Sequence, residues 1–114
     1  MPTLVPTLVP KVHQREAARR DLVEHFVYLA ESASLDTAER FLVQAETSFN
    51  VLAGQPKMGA PLTLGRPELA GLRKWRVKGF DNFLILYTPR PDGVSIVRVL
   101  HATRDGWGLL GIDP

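Results

Sequence analysis

Val94-Ser-Ile-Val-Arg-Val-Leu-His-Ala-Thr-Arg-Asp105 is an almost wholly apolar strand that ends abruptly in titratable and charged side chains. Alternation places Val97 and Val99 on one face and Val94, Ile96 and Leu100 on the other, so both faces are expected to be covered, as in an interior strand. Arg98 breaks the pattern. A guanidinium inside an apolar strand needs a carboxylate or several carbonyl partners, because an unpaired buried charge is costly. Arg98 is therefore read as a mostly buried structural ion pair, with Asp21, Asp81 or Asp105 as its partner. His101, Arg104 and Asp105 follow just past the strand end, where strand residues reach a ligand or partner. A solvated polar tail is the plainer reading of the same residues.

Working outward, Pro91-Asp92-Gly93 is a turn signal, and Phe83-Leu-Ile-Leu-Tyr87 before it has the unbroken apolar run of a buried strand. In Leu72-Arg-Lys-Trp-Arg-Val-Lys78 alternation sets Lys74, Arg76 and Lys78 on one face against Arg73, Trp75 and Val77 on the other. Gly79 and Asp81-Asn82 suit the connection, and the three segments make an antiparallel meander. Upstream, residues 54 to 71 hold four glycines and three prolines and read as a long loop.

Two helices precede it. From Glu16 to about Glu31, Ala18, Leu22, Phe26, Leu29 and Ala30 recur at helical spacing, opposite Arg19, Arg20, Glu24 and Glu31. His25 falls between the faces and is expected at the surface or boundary. Ser32-Ala-Ser-Leu-Asp36 contains two side chains able to cap a helix, and Asp36 with Glu39 resembles a capping box opening a second helix, whose stripe is Ala38, Phe41, Leu42, Ala45, Phe49 and Leu52 and whose stop is Gly54 with Pro56 beyond. The short link makes them an antiparallel hairpin. Before them a short strand is expected from about Pro10 to Gln14, with Val12 inward. Thr-Leu-Val-Pro, written twice at residues 3 to 6 and 7 to 10, reads as an extended arm, since each Pro removes a backbone donor. The fold class that follows is α+β in the order β-α-α-β-β-β, a small antiparallel sheet packed against an antiparallel helix hairpin, with residues 1–11 an extended Pro-rich arm and residues 12–114 a single domain.

Composition narrows the function. With 114 residues, 45% hydrophobic and 23% charged, the chain suits one core. It has no cysteine and only three histidines, so disulfides and thiolate metal sites are excluded and no metal or cofactor is expected. The apolar N-terminus lacks the leading basic residues of a signal peptide and is interrupted by prolines, and no run reaches membrane-spanning length, so a cytoplasmic protein without membrane contact is the expectation. The net charge of +2 fits an acidic protein partner and does not demand nucleic acid.

The element order, together with Ala18-Arg-Arg-Asp-Leu22, Ala38-Glu-Arg-Phe41, Pro56-Lys-Met-Gly59, Leu72-Arg73 with Val77, and Arg98-Val-Leu-His-Ala-Thr-Arg-Asp105, resembles the ParE-type toxins of the RelE/ParE superfamily from about Val12 to Leu110. Arg15 and Ala102 differ from the usual capping Ser or Thr and the usual Gly. The resemblance implies a toxin of a type II toxin-antitoxin module that arrests growth by binding DNA gyrase, without chemistry of its own. It also implies neutralisation by a ParD-like ribbon-helix-helix antitoxin in a hetero-oligomer, with DNA met only through that antitoxin. Target contact is then expected at His101, Arg104, Asp105 and Trp107, and antitoxin contact at Leu72, Arg73, Lys74, Trp75 and Arg76 with the helix hairpin. Two alternatives stand beside this. One is a RelE-like ribosome-dependent endonuclease of messenger RNA, for which the tail offers His101 and cations but no Tyr or second proton-transfer group. The other is a non-toxic module that only binds its antitoxin.

Overall fold

The computed structural model describes residues 9–62 and 71–105. The arm up to residue 8 and Trp107 lie outside the described residues. The elements are β1 Lys11–Gln14, α1 Glu16–Ser32, α2 Leu35–Gly54, β2 Ala60–Pro61, β3 Arg73–Val77, β4 Phe80–Arg90 and β5 Gly93–His101. They form one sheet in the order β1-β5-β4-β3-β2. The helix hairpin and the antiparallel β3-β4-β5 meander stand as expected. Two details differ: β1 joins β5 in parallel, which makes the sheet mixed, and Ala60–Pro61, inside the segment read as loop, pairs with β3. The parallel pairing follows from the connection. A chain that leaves β1 through two helices returns to the sheet by a crossover, where a hairpin would have reversed it.

The hairpin covers one face. Ala18, Leu22, Phe41, Ala45, Phe49 and Leu52 pack against Ile85, Tyr87, Val94, Ile96 and Val99. On the other face Leu84, Leu86 and Leu100 form a smaller buried group with Leu62 and Ala102 beside them. Both faces of the central strands are thus covered, which is why β4 and β5 read as continuous apolar runs.

A bulge in β5 corrects the reading of Arg98. Leu86 stands opposite Arg98 and Tyr87 opposite Ile96, so Val97 is an extra residue without a counterpart. Regular alternation would have carried Arg98 onto the core face with Val94 and Ile96. The extra residue is absorbed instead, and Val99 returns to the core. Arg98 was expected to be mostly buried, but its side chain is 45% exposed, and the buried member of the pair is Asp21, at 7%.

Two further expectations are corrected on the helices. The cap of α2 is Ser34, whose hydroxyl accepts from the Thr37 N–H at 3.0 Å; Asp36 lies inside the first turn and pairs with Arg40 at 3.4 Å. His25 is buried. At the start of α1 Arg15 makes no side-chain cap. Its N–H donates to the Ile96 carbonyl at 3.0 Å and its Nε to Ser95 Oγ at 3.2 Å, tying the helix entry to β5. At the turn before β5, Gly93 has φ +151°, and a Cβ there would lie 1.9 Å from the Lys11 carbonyl oxygen. Only glycine lets β1 approach so closely.

Tyr87 pins the segment between α2 and β2. Its hydroxyl accepts from the Gly59 N–H at 2.8 Å and donates to the Pro56 carbonyl at 2.7 Å. Burial pushes the phenol above its usual pKa, opposed by the Gly59 N–H and the charge of Arg73. Tyr87→Phe leaves that buried N–H without an acceptor and is expected to cost about 1–3 kcal/mol, read from urea unfolding midpoints; an unchanged midpoint would show that the hydroxyl is idle.

Candidate functional site

At the far end of β5 the sheet runs out of neighbours on one side among the described residues. β1 ends opposite Ile96, and the backbone of Val99 beyond it would face no strand. Two side chains of α1, one turn apart, take the strand's place. Asp21 Oδ2 accepts from the Val99 N–H at 2.9 Å, and His25 Nε2 lies 2.7 Å from the Val99 carbonyl oxygen. The Asp21 carboxylate also receives Arg98 Nε at 2.7 Å and Nη2 at 2.8 Å. This bidentate pairing, followed by burial in opposition and then the charges of Asp21, Asp105 and Glu24, raises the Arg98 pKa further.

Beyond Val99 the chain closes into a turn. His101 and Asp105 bind reciprocally, the His101 N–H donating to the Asp105 carboxylate and the Asp105 N–H to the His101 carbonyl at 3.1 Å. Inside the turn His101 Nδ1 accepts from the N–H groups of Thr103 and Arg104 at 3.3 and 3.2 Å. Backbone amides only donate, so the ring is in the tautomer with Nδ1 bare. Arg104 folds back on α1, its Cζ 3.7 Å from the centroid of the Tyr28 ring and its Nη2 3.1 Å from His25 Nδ1. The His101 ring meets Phe83 edge-on at 4.9 Å and Tyr28 at 6.3 Å.

Burial first, and the Arg104 charge next, hold the His101 pKa below its usual 6.5, with Asp105 opposing and His25 adding to the lowering. The unfolded chain therefore takes up the proton first as pH falls. Stability from this group is complete above about pH 6.5 and is lost as pH falls through the depressed folded value. His101→Asn, which keeps an acceptor near Nδ1 and does not titrate, should flatten the fall in melting temperature between about pH 7 and pH 5; an unaltered slope would assign that fall to other groups.

The residues expected at an antitoxin surface divide. Leu72 is buried, and Arg73 Nη1 donates to the carbonyls of Lys57 and Gly59 at 3.1 and 2.6 Å, so both hold the fold. Lys74, Trp75 and Arg76 line a groove of about 680 Å³ between α2 and β3. Thr47, Ser48 and Val51 form its helix wall, Met58 adds apolar surface, the buried Val77 and Leu84 lie behind its floor, and Lys78 and Asp81 stand at it. β2 pairs β3 only at Arg73 and Lys74, which leaves Trp75 to Val77 without a strand neighbour on that side among the described residues.

The structure brings His101, Arg104 and Asp105 together and adds Tyr28, His25 and Asp21, which the tail alone does not disclose. Their spacing carries a signal: Asp21, His25 and Tyr28 recur at helical intervals on the side of α1 that bears Ala18 and Leu22. Tracing only the apolar stripe passes over them. The tail itself holds no Tyr; Tyr28 reaches the His101 ring from α1.

The profile of the family described as ParE toxin of type II toxin-antitoxin system, parDE, matches residues 12–106. Among solved structures the chain is similar to one titled "Chromosomal ParDE TA system from P. aeruginosa", at 14% identity and a TM-score of 0.66, over 83% of this chain and 98% of that chain. At that identity the likeness is one of fold. No curated protein matches the chain.

Proposed function

The chain belongs to the ParE toxin family of type II toxin-antitoxin systems, and from that premise we propose that it arrests growth in the cytoplasm by binding DNA gyrase, catalyses nothing itself, and is neutralised by a ParD-like ribbon-helix-helix antitoxin. One observation carries the binding reading. The titratable groups at the end of β5 are used to shape a turn: both ring nitrogens of His25 have partners, and His101 Nδ1 accepts backbone N–H groups. A general acid or base needs a nitrogen directed at substrate, whereas these rings present Arg104, a side chain suited to anchoring an interface.

The antitoxin occupies the α2-β3 groove. An acidic, amphipathic segment would set apolar side chains on Val51, Met58 and Trp75 and carboxylates near Lys74, Arg76 and Lys78, in the helix-in-groove or added-strand manner. DNA is met only through that antitoxin, and residues 12–114 act as one domain. Purified toxin should inhibit gyrase supercoiling, be relieved by its antitoxin, and leave ribosome-bound messenger uncut. Messenger cutting lost in His101→Ala, with supercoiling untouched, would transfer the function to RNA cleavage.

A further inference from the structure

A histidine with one nitrogen on a carbonyl and the other on a guanidinium is doubly constrained. The Val99 carbonyl oxygen, 2.7 Å from Nε2, only accepts, so Nε2 carries the proton. Arg104 Nη2, 3.1 Å from Nδ1, only donates, so Nδ1 is bare. The ring is locked between Phe41 and Phe83, which it meets edge-on at 6.0 and 4.8 Å. Three residues further along α1, Tyr28 lies beneath the same guanidinium.

We propose that His25 is a positioning residue for the turn of residues 102 to 105: it aligns Arg104 for the target while fastening Val99, and no other neutral side chain supplies both contacts at this spacing. This deepens the target-contact reading of Arg104 and rests on it. The turn is tied to β4 at its start, where the Ala102 N–H donates to the Asn82 carbonyl at 2.7 Å, and further along it is held from α1 by the Arg104 contacts. Losing the Nδ1 acceptor frees Arg104 to sample other rotamers, and ordering it again on the target costs affinity.

Two substitutions separate the nitrogens. His25→Gln places an amide N–H near Nε2 and keeps the Val99 contact, but offers nothing to Arg104. His25→Asn places an oxygen near Nδ1 and keeps the Arg104 contact, but abandons Val99. His25→Gln should melt near the wild type and bind antitoxin equally, yet inhibit gyrase about tenfold more weakly. His25→Asn should melt lower and, per folded molecule, inhibit nearly as the wild type. Inhibition that follows stability, with His25→Asn the weaker inhibitor, would overturn the proposal. A ring-nitrogen NMR spectrum of the wild-type chain in its antitoxin complex tests the geometry without any variant: Nε2 protonated and Nδ1 bare supports it, and the reverse overturns it. Arg104→Ala separates the two layers. If it inhibits as the wild type, the target-contact reading fails; if it is inactive while His25→Gln is fully active, only the role of His25 fails.

Discussion

Asp21→Ala is expected to cost about 3 kcal/mol of stability, the largest loss from any single side chain outside the apolar core. The carboxylate serves three donors at once, Val99 N–H and two nitrogens of Arg98. Its removal leaves a buried N–H without an acceptor, which alone costs about 1–3 kcal/mol. The share belonging to Arg98 is discounted, since its half-exposed side chain can turn to water. Asp21→Asn should recover part of the loss, because an amide oxygen can still accept from Val99 while the bidentate pairing is gone. Urea unfolding of the three chains measures this, and a loss below about 1 kcal/mol for Asp21→Ala would mean that water satisfies Val99 and that α1 does not close the strand.

Arg104→Ala combined with Trp107→Ala should abolish growth arrest and weaken gyrase inhibition by about a hundredfold or more, as expected when two anchoring side chains leave an interface. Antitoxin affinity should hold within about twofold. The separation follows from topology. The turn projects from β5, whereas the groove lies along β3, and β4 stands between them. Growth on induction and calorimetric titration with antitoxin read the two effects independently. Equal loss of both would merge the surfaces that the fold keeps apart; persistent arrest would remove Arg104 and Trp107 from the target contact.

The order of elements was legible because each local signal agreed with the next: stripes at helical spacing, Gly54 with Pro56 as a stop, Pro91-Asp92-Gly93 as a turn. What escaped was set by backbone register and by the third dimension. A single unpaired residue, Val97, decides whether Arg98 faces the core or emerges, and alternation has no means of announcing a bulge. His25 was placed at a boundary because it falls between the apolar and charged faces of α1, yet its hydrogen-bond partners, which bury it, lie more than 70 positions away, the Val99 contact spanning 74. Ser34 outranked Asp36 as a cap for a local reason: the residue that caps must still be extended, and Ser34 is, with φ −163° and ψ 161°. Of the candidate site, His101, Arg104 and Asp105 were readable as a charged strand end; that α1 would receive them was not.

The stand-in strand made by Asp21 and His25 also bears on how free copies of the chain behave toward one another. An unsatisfied strand margin is a template on which identical chains can polymerise. At Val99 nothing is left to offer, because both backbone groups are already spent on α1. The stretch from Trp75 to Val77 has no strand beside it on that side among the described residues, but it is short, contains Arg76 and is bordered by Lys74 and Lys78. Two such margins brought together would repel, and an acidic one would be drawn in. The same charges that invite a neutralising partner thus discourage the chain from seeding fibres of itself while it waits for one.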